Sequence, residues 1–216
     1  MDGDQFVVND TWRFDKVVSS LHPKQLLSIT NLPLYRPITY KRILSTPETV
    51  GSFKIYAKLQ PDTVPYDPVT HFLPEHCLLV MTPCDEHGQR FARTIETVMP
   101  MKYADLQPWH ENRQNDYTAY EAFKQAKGQE VLSLVEKIYP GIREHVVDIF
   151  TSTSLTYRDD YLSPEGGMFG LTESVGSVRT RIKGFYITGQ NANLHGLCGV
   201  AMTAQQTALA ICNDCR

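Results

Sequence analysis

The 216-residue sequence lacks several features that would place a protein in a broad class at once. No apolar run approaches the ~20 residues of a transmembrane helix. The N-terminus, MDGDQFVVND, has neither the basic start nor the apolar core of a secretory signal. No GxGxxG, the fingerprint of a dinucleotide-binding unit, occurs anywhere. A net charge of −3 argues against a general nucleic-acid binder.

What is present fits a globular protein of one domain or two small ones. The hydrophobic fraction of 42% is ordinary for such proteins. Five cysteines, an odd number at irregular spacing, fit a reducing compartment better than a disulfide framework, so we expect a cytoplasmic protein. Cys212 and Cys215 form a CxxC pair at the C-terminus with no second pair and no adjacent histidine. We therefore predict no metal site.

Residues 184–211, GFYITGQNANLHGLCGVAMTAQQTALAI, read as a strand, a glycine-rich turn and a helix. The strand is predicted over residues 185–188 and the helix from about Val200. The helix is indicated by residues at spacings of three and four: Ala201, Ala204, Ala208 and Ile211. Free amides at the start of such a helix favour an anion or an electron-rich carbonyl. On pattern alone, an ordinary strand–turn–helix packed for stability is the stronger alternative.

The rest of the chain divides into a mostly β part and a helical part. Strands are predicted at residues 6–8, 12–20, 52–59, 77–81 and 91–101, and a short helix at 24–29. Residues 32–116 thus indicate an antiparallel sheet with one face on a core or cavity. Helices are predicted at 117–139 and 141–147. His22, before Pro23, is interpreted as a helix-entry residue at the surface.

The C-terminal stretch resembles the flavin-binding end of the FAD-dependent carotenoid desaturases and isomerases and of retinol saturase, the phytoene dehydrogenase-like oxidoreductases. Those proteins end in a strand, a Gly-Gln or Gly-Asp pair, a glycine-rich turn and a small-residue helix. Here the pair is Gly189 and Gln190, the form typical of the retinol saturase and carotenoid isomerase branch. FDKVVSSLHPKQLL near the start and IFTSTSLTYRDDYLSPEGGMFG, residues 149–170, also resemble family segments, with Ser154 where proline is usual.

The resemblance implies FAD as the cofactor and suggests which residues face it. Gly189 and Gln190 are expected near the ribityl-diphosphate part. The helix-start amides of Gly199, Val200 and Ala201 are expected near the pyrimidine edge of the isoalloxazine. Gly167 and Phe169 are expected beside the flavin, at the border of a polyene site. The resemblance assigns no catalytic residue, and His195 is interpreted as a solvated loop histidine.

The expected fold is α+β. Residues 32–170 are expected to form a substrate domain, an antiparallel or mixed sheet with helices. Residues 1–31 and 171–216 are expected to pack together as the remnant of an FAD-binding, Rossmann-like domain. In this arrangement strand 185–188 lies beside strand 16–20.

Two functions remain open. In the first, the chain is the C-terminal portion of an FAD-dependent oxidoreductase acting on a polyene or isoprenoid. Because the GxGxxG half is absent, FAD is then expected to be absent or weakly bound, and the chain alone inactive. The expected partners are the apolar substrate and a separate dinucleotide-binding half, with self-association or peripheral membrane contact as alternatives. In the second, the chain is a stand-alone, non-catalytic module that binds an apolar ligand or a partner protein.

Overall fold

The computed structural model describes residues 5–84, 86–111 and 117–215. The chain divides into two compact units: a terminal unit, Met1–Thr49 with Phe169–Arg216, and a central unit, Val50–Met168. Residues 32–49 thus lie with the chain ends, whereas the expected boundary was at residue 31. The reason is packing, since Leu34 and Ile43 belong to the same apolar cluster as Phe185.

Nine strands and five α-helices are assigned in the described residues. In chain order they are β1 (Phe6–Val8), β2 (Trp12–Phe14), β3 (Val17–Ser19), α1 (Pro23–Ile29), α2 (Pro37–Ser45), β4 (Gly51–Leu59), β5 (His71–Leu73), β6 (Leu78–Met81), β7 (Thr94–Met101), α3 (Tyr117–Val135), β8 (Val146–Ser152), α4 (Ser154–Asp160), β9 (Phe185–Ile187) and α5 (Gly196–Asp214). Short 3-10 turns occur at Pro74–His76, Tyr103–Trp109, Ile142–His145 and Pro164–Gly166. The protein is therefore a mixed α/β protein.

The central unit is built on a five-stranded antiparallel sheet in the order β5-β6-β7-β4-β8. Alternate residues of β4 (Phe53, Ile55 and Ala57) are fully buried on its inner face, as the period of two predicts. The inner face and α3 share one hydrophobic cluster. Gly128, in the middle of α3, faces the sheet, and a Cβ there would lie 3.4 Å from Cγ2 of Thr151, an ordinary contact distance.

Three elements of the two units differ from the predicted local structure or were not predicted. Residues 37–45 form α2, although 32–116 were interpreted as mostly β; only Ile43 of that helix is buried, so its periodicity is weak. Residues 154–160 form α4, which a capping box at Thr153 and Thr156 starts. Residues 141–147 are not an α-helix, because after one 3-10 turn the chain pairs with β4 as β8.

The terminal unit joins the two chain ends through a parallel strand pair. Val17 pairs with Phe185 and Ser19 with Ile187, which confirms the expected proximity of the two strands. The β1–β2 hairpin adds Phe6, whose ring meets that of Phe185 edge-on at 5.6 Å between centroids. In the described ranges no helix has the length and apolar character needed to cross a membrane.

Candidate functional site

The predicted glycine-rich turn connects β9 to α5 in the terminal unit. The helix begins at Gly196, earlier than the expected Val200. In an α-helix the first four backbone N–H groups, counted from the N-cap, have no partner within the helix, here those of residues 195–198. The amides of Gly199, Val200 and Ala201 are thus engaged inside the helix, contrary to the expectation that they face the flavin. The donors available to a ligand are the earlier ones.

Gly199 is a glycine because of the chain's own packing. It is buried, and a Cβ built on it would lie 2.7 Å from Cβ of Leu194. Its φ is not among the positive values, so Gly199 does not use the left-handed conformation that glycine permits. Gly196 differs on both counts. Its φ is +75°, and nothing lies within 4 Å of the position of its missing Cβ.

The start of α5 is open and lined by apolar groups. His195 occupies the N-cap position, but its side chain makes no capping hydrogen bond. Leu197 is 89% exposed. The ring of Phe169, which is 40% exposed, meets the His195 ring edge-on at 6.3 Å between centroids. His195 is exposed, as a solvated loop histidine should be, and the ring of Phe169 is its aromatic neighbour. Free amides within an apolar rim suit a flat ring with an electron-rich edge.

Gly189 and Gln190 lie between β9 and that helix start. Gly189 follows the strand with φ +88°, and a Cβ on it would lie 3.8 Å from the Ser20 carbonyl oxygen. Gln190 is half-buried, and among the described residues its side-chain amide has no hydrogen-bond partner. Such a side chain is available to a ligand. Six of the predicted cofactor residues belong to the terminal unit, whereas Gly167 belongs to the central unit.

Asn191 fixes the turn in place. Its buried side-chain Oδ1 accepts a hydrogen bond from the Leu171 amide at 2.8 Å, and its carbonyl accepts one from Val175 at 2.8 Å. Gly170, with φ +73°, allows this approach, because a Cβ there would lie 2.6 Å from Nδ2 of Asn191. In the sequence Asn191 is simply one residue of the glycine-rich turn. The buried hydrogen bond between Asn191 and Leu171 joins residues 20 positions apart, so no local sequence pattern predicts it.

Helix α5 packs through an unexpected face. The buried residues of the helix are Gly199, Thr203, Thr207 and Ala210. Thr207 donates a hydrogen bond to the carbonyl of Ile187 at 3.2 Å, which ties the helix to β9. The small residues that predicted the helix, Ala201 and Ala204, are exposed. The hydroxyl groups of Thr203 and Thr207 can be buried because each donates a hydrogen bond to a backbone carbonyl of the preceding helical turn.

A second polar cluster in the terminal unit was not expected. His22 caps α1, as its position predicted, but it is buried and not at the surface. Its Nε2 lies 3.0 Å from Oε2 of Glu48, and Nζ of Lys24 lies 2.8 Å from the other carboxylate oxygen. Burial raises the pKa of Glu48, but the hydrogen bonds from His22 and Lys24 outweigh it and lower that pKa overall.

The open helix start fits one end of FAD. Gly196 leaves room there, the uncapped amides can face an electron-rich edge, and Gln190 offers an unengaged amide. Residues 5–84, 86–111 and 117–215 contain no cluster of three His, Cys, Asp or Glu side chains suited to a metal ion. Cys212 and Cys215 are exposed free thiols.

Comparison with known proteins adds one relationship. No protein-family model matches the chain. Part of the chain is similar to the all-trans-retinol 13,14-reductase of Danio rerio. The two are 25% identical over 131 residues, which covers 56% of this chain and 22% of that protein. The chain thus spans about a fifth of that protein's length. The similarity is consistent with a protein related to retinoid reductases.

Proposed function

We propose that this chain is the flavin-facing and substrate-binding portion of an FAD-dependent oxidoreductase acting on a polyene or isoprenoid, of the retinol saturase or carotenoid desaturase and isomerase kind. The observation that carries the proposal is the open, uncapped start of α5 at the end of the glycine-rich turn that follows β9. The similarity to a retinol reductase supports the substrate class.

In this proposal the chain orients and polarises one edge of the flavin. FAD, when bound, supplies a ring that takes up or gives up a hydride. The free amides at the start of α5 donate to an electron-rich carbonyl edge, and the positive end of the helix dipole favours the same charge. Leu197 and Phe169 pack against the ring and exclude water, and the Gln190 amide hydrogen-bonds the polar chain beyond it.

We further propose that a dinucleotide-binding half completes the site by adding a strand to β3. Parallel strands normally belong to larger sheets whose two faces are both covered. Tyr186 of β9 makes a further bridge to Arg179, whereas among the described residues β3 pairs only with β9. Val18 is 47% exposed, and a mainly apolar cavity of about 600 Å³ lies beside it. A chain without that half binds FAD weakly.

The test is an FAD titration of the purified chain followed by flavin fluorescence. We expect little FAD to copurify and added FAD to bind weakly. Gln190→Ala should weaken binding about tenfold, since it removes a hydrogen bond worth ~1.4 kcal/mol. Gln205→Ala, an exposed glutamine within α5, is the matched control and should change nothing. Equal affinity of Gln190→Ala and the wild type, or no binding at millimolar FAD, would overturn the proposal.

The non-catalytic module remains the second candidate, because the central sheet exposes apolar side chains such as Phe72 and Phe150, 56% and 60% exposed. A chain that binds a retinoid but shows no FAD binding at any concentration would favour it.

A further inference from the structure

The face of the central sheet opposite α3, here called the outer face, carries one continuous row of side chains. The β4–β7 register, Phe53 with Met99 and Tyr56 with Glu96, sets Lys54 opposite Val98. Val98 in turn pairs with Leu79, and Leu79 with Phe72. Lys54 therefore begins a row that continues as Val98, Leu79 and Phe72. Its last two members are 36% and 56% exposed.

A polar cluster surrounds the cationic end of this row. Ser52, which is fully buried, donates a hydrogen bond to the Tyr157 hydroxyl at 3.1 Å. Nζ of Lys54 lies 5.4 Å from the centroid of the Tyr157 ring. The aromatic ring of Tyr161 lies 6.0 Å from that of Tyr157 and extends the rim. The ammonium group is thus held among hydroxyl and aromatic groups.

Lys54 has no carboxylate within 4.0 Å among the residues that the structure describes. Burial lowers the pKa of Lys54, but its neighbours Tyr157, Tyr56 and Glu96 outweigh this effect and raise that pKa overall. The lysine therefore stays charged at neutral pH. A half-buried cation without an ion pair at the end of an apolar row calls for an anion attached to an apolar chain.

We propose that the outer face binds an isoprenoid carboxylate. Its head group lies against Lys54 and Tyr157, and its chain runs over Val98, Leu79 and Phe72. This inference rests on the proposed polyene or isoprenoid function and specifies the chemistry of the ligand's polar end. The row crosses three strand spacings of ~4.8 Å, ~14 Å in all, which accommodates much of an extended diterpenoid chain.

The experiment compares all-trans-retinoic acid with all-trans-retinol, which share the chain and differ in the head group. Quenching of tryptophan fluorescence gives the two dissociation constants. We expect the wild type to bind retinoic acid about tenfold more tightly than retinol, because the carboxylate adds one charge-assisted hydrogen bond. Lys54→Met should remove that difference and leave retinol binding unchanged. Lys58→Met, an exposed lysine on the same strand, is the control and should behave as the wild type.

Two further variants guard against a misfolded Lys54→Met protein. Tyr157→Phe removes only the hydroxyl and should weaken the acid several-fold, and Leu79→Ser should weaken both ligands alike because it lies on the shared chain. A wild type that binds the two retinoids equally, or a folded Lys54→Met that keeps the preference, overturns the head-group site. A wild type that binds neither retinoid contradicts the proposed isoprenoid function itself, so the two failures are distinguishable.

Discussion

The backbone of Gly199 lies against Leu194 so closely that a Cβ on Gly199 would sit 2.7 Å from the leucine Cβ. This contact holds the turn against the first coil of α5, the helix start that the proposed function uses. Packing within the chain therefore explains why position 199 is a glycine.

Gly199→Ala is therefore expected to lower the free energy of unfolding by about 2 kcal/mol, the usual effect of overpacking a buried site. Urea unfolding measures it. Ala201→Val, two residues further and exposed, should change stability by no more than about 0.7 kcal/mol. Normal stability of Gly199→Ala would show that the turn can move away from the helix.

Glu48→Gln should destabilise the terminal unit at neutral pH by about 3 kcal/mol, because Lys24 loses the buried carboxylate that pairs with it. The pKa of Glu48 is lowered on folding, so its stabilisation is complete above its ordinary value of 4.5 and is lost as the pH falls through the lowered value. Thermal unfolding from pH 7 down to pH 3 should show the two proteins converging. Glu86→Gln, in a pair whose side chains are both 61% exposed, should have almost no effect.

Asn191→Ala should cost about 2 kcal/mol, since it leaves the buried Leu171 amide without an acceptor. Asn193→Ala removes a hydrogen bond to Gln206 at the surface and should be nearly neutral. Hydrogen exchange of the Leu171 amide gives the local readout. Unchanged protection in Asn191→Ala would mean that another group replaces the asparagine.

Gly128→Ala should stabilise the protein by up to about 1 kcal/mol. Its Cβ would meet Thr151 at 3.4 Å, an ordinary contact, while the helix gains a better helix former. Gly51→Ala has the opposite expectation, because its Cβ would lie 2.7 Å from the Gly166 carbonyl oxygen. Melting temperatures of the two variants should therefore shift in opposite directions. A lower melting temperature for Gly128→Ala would show that the contact with β8 is already tight.

Sequence patterns predicted the elements whose burial follows a local period. The alternation in β4 and the apolar stripe of α3 were read correctly, although α3 ends at Val135 and not near Pro140. The pairing of β3 with β9 followed from a resemblance and not from a period. Where the period was weak, as in α2 with its single buried residue, the helix was missed.

The sequence by itself determined the composition class, the core strands and the position of the turn before α5, because these depend on residue type and short spacing. Only the tertiary structure decided which face of α5 is buried, why Gly199 is a glycine and that His22 is buried. Each of these depends on groups brought together by folding, such as Glu48, which lies 26 residues from His22. The row from Lys54 to Phe72 could not be predicted from the sequence either, because only the strand register aligns its four residues.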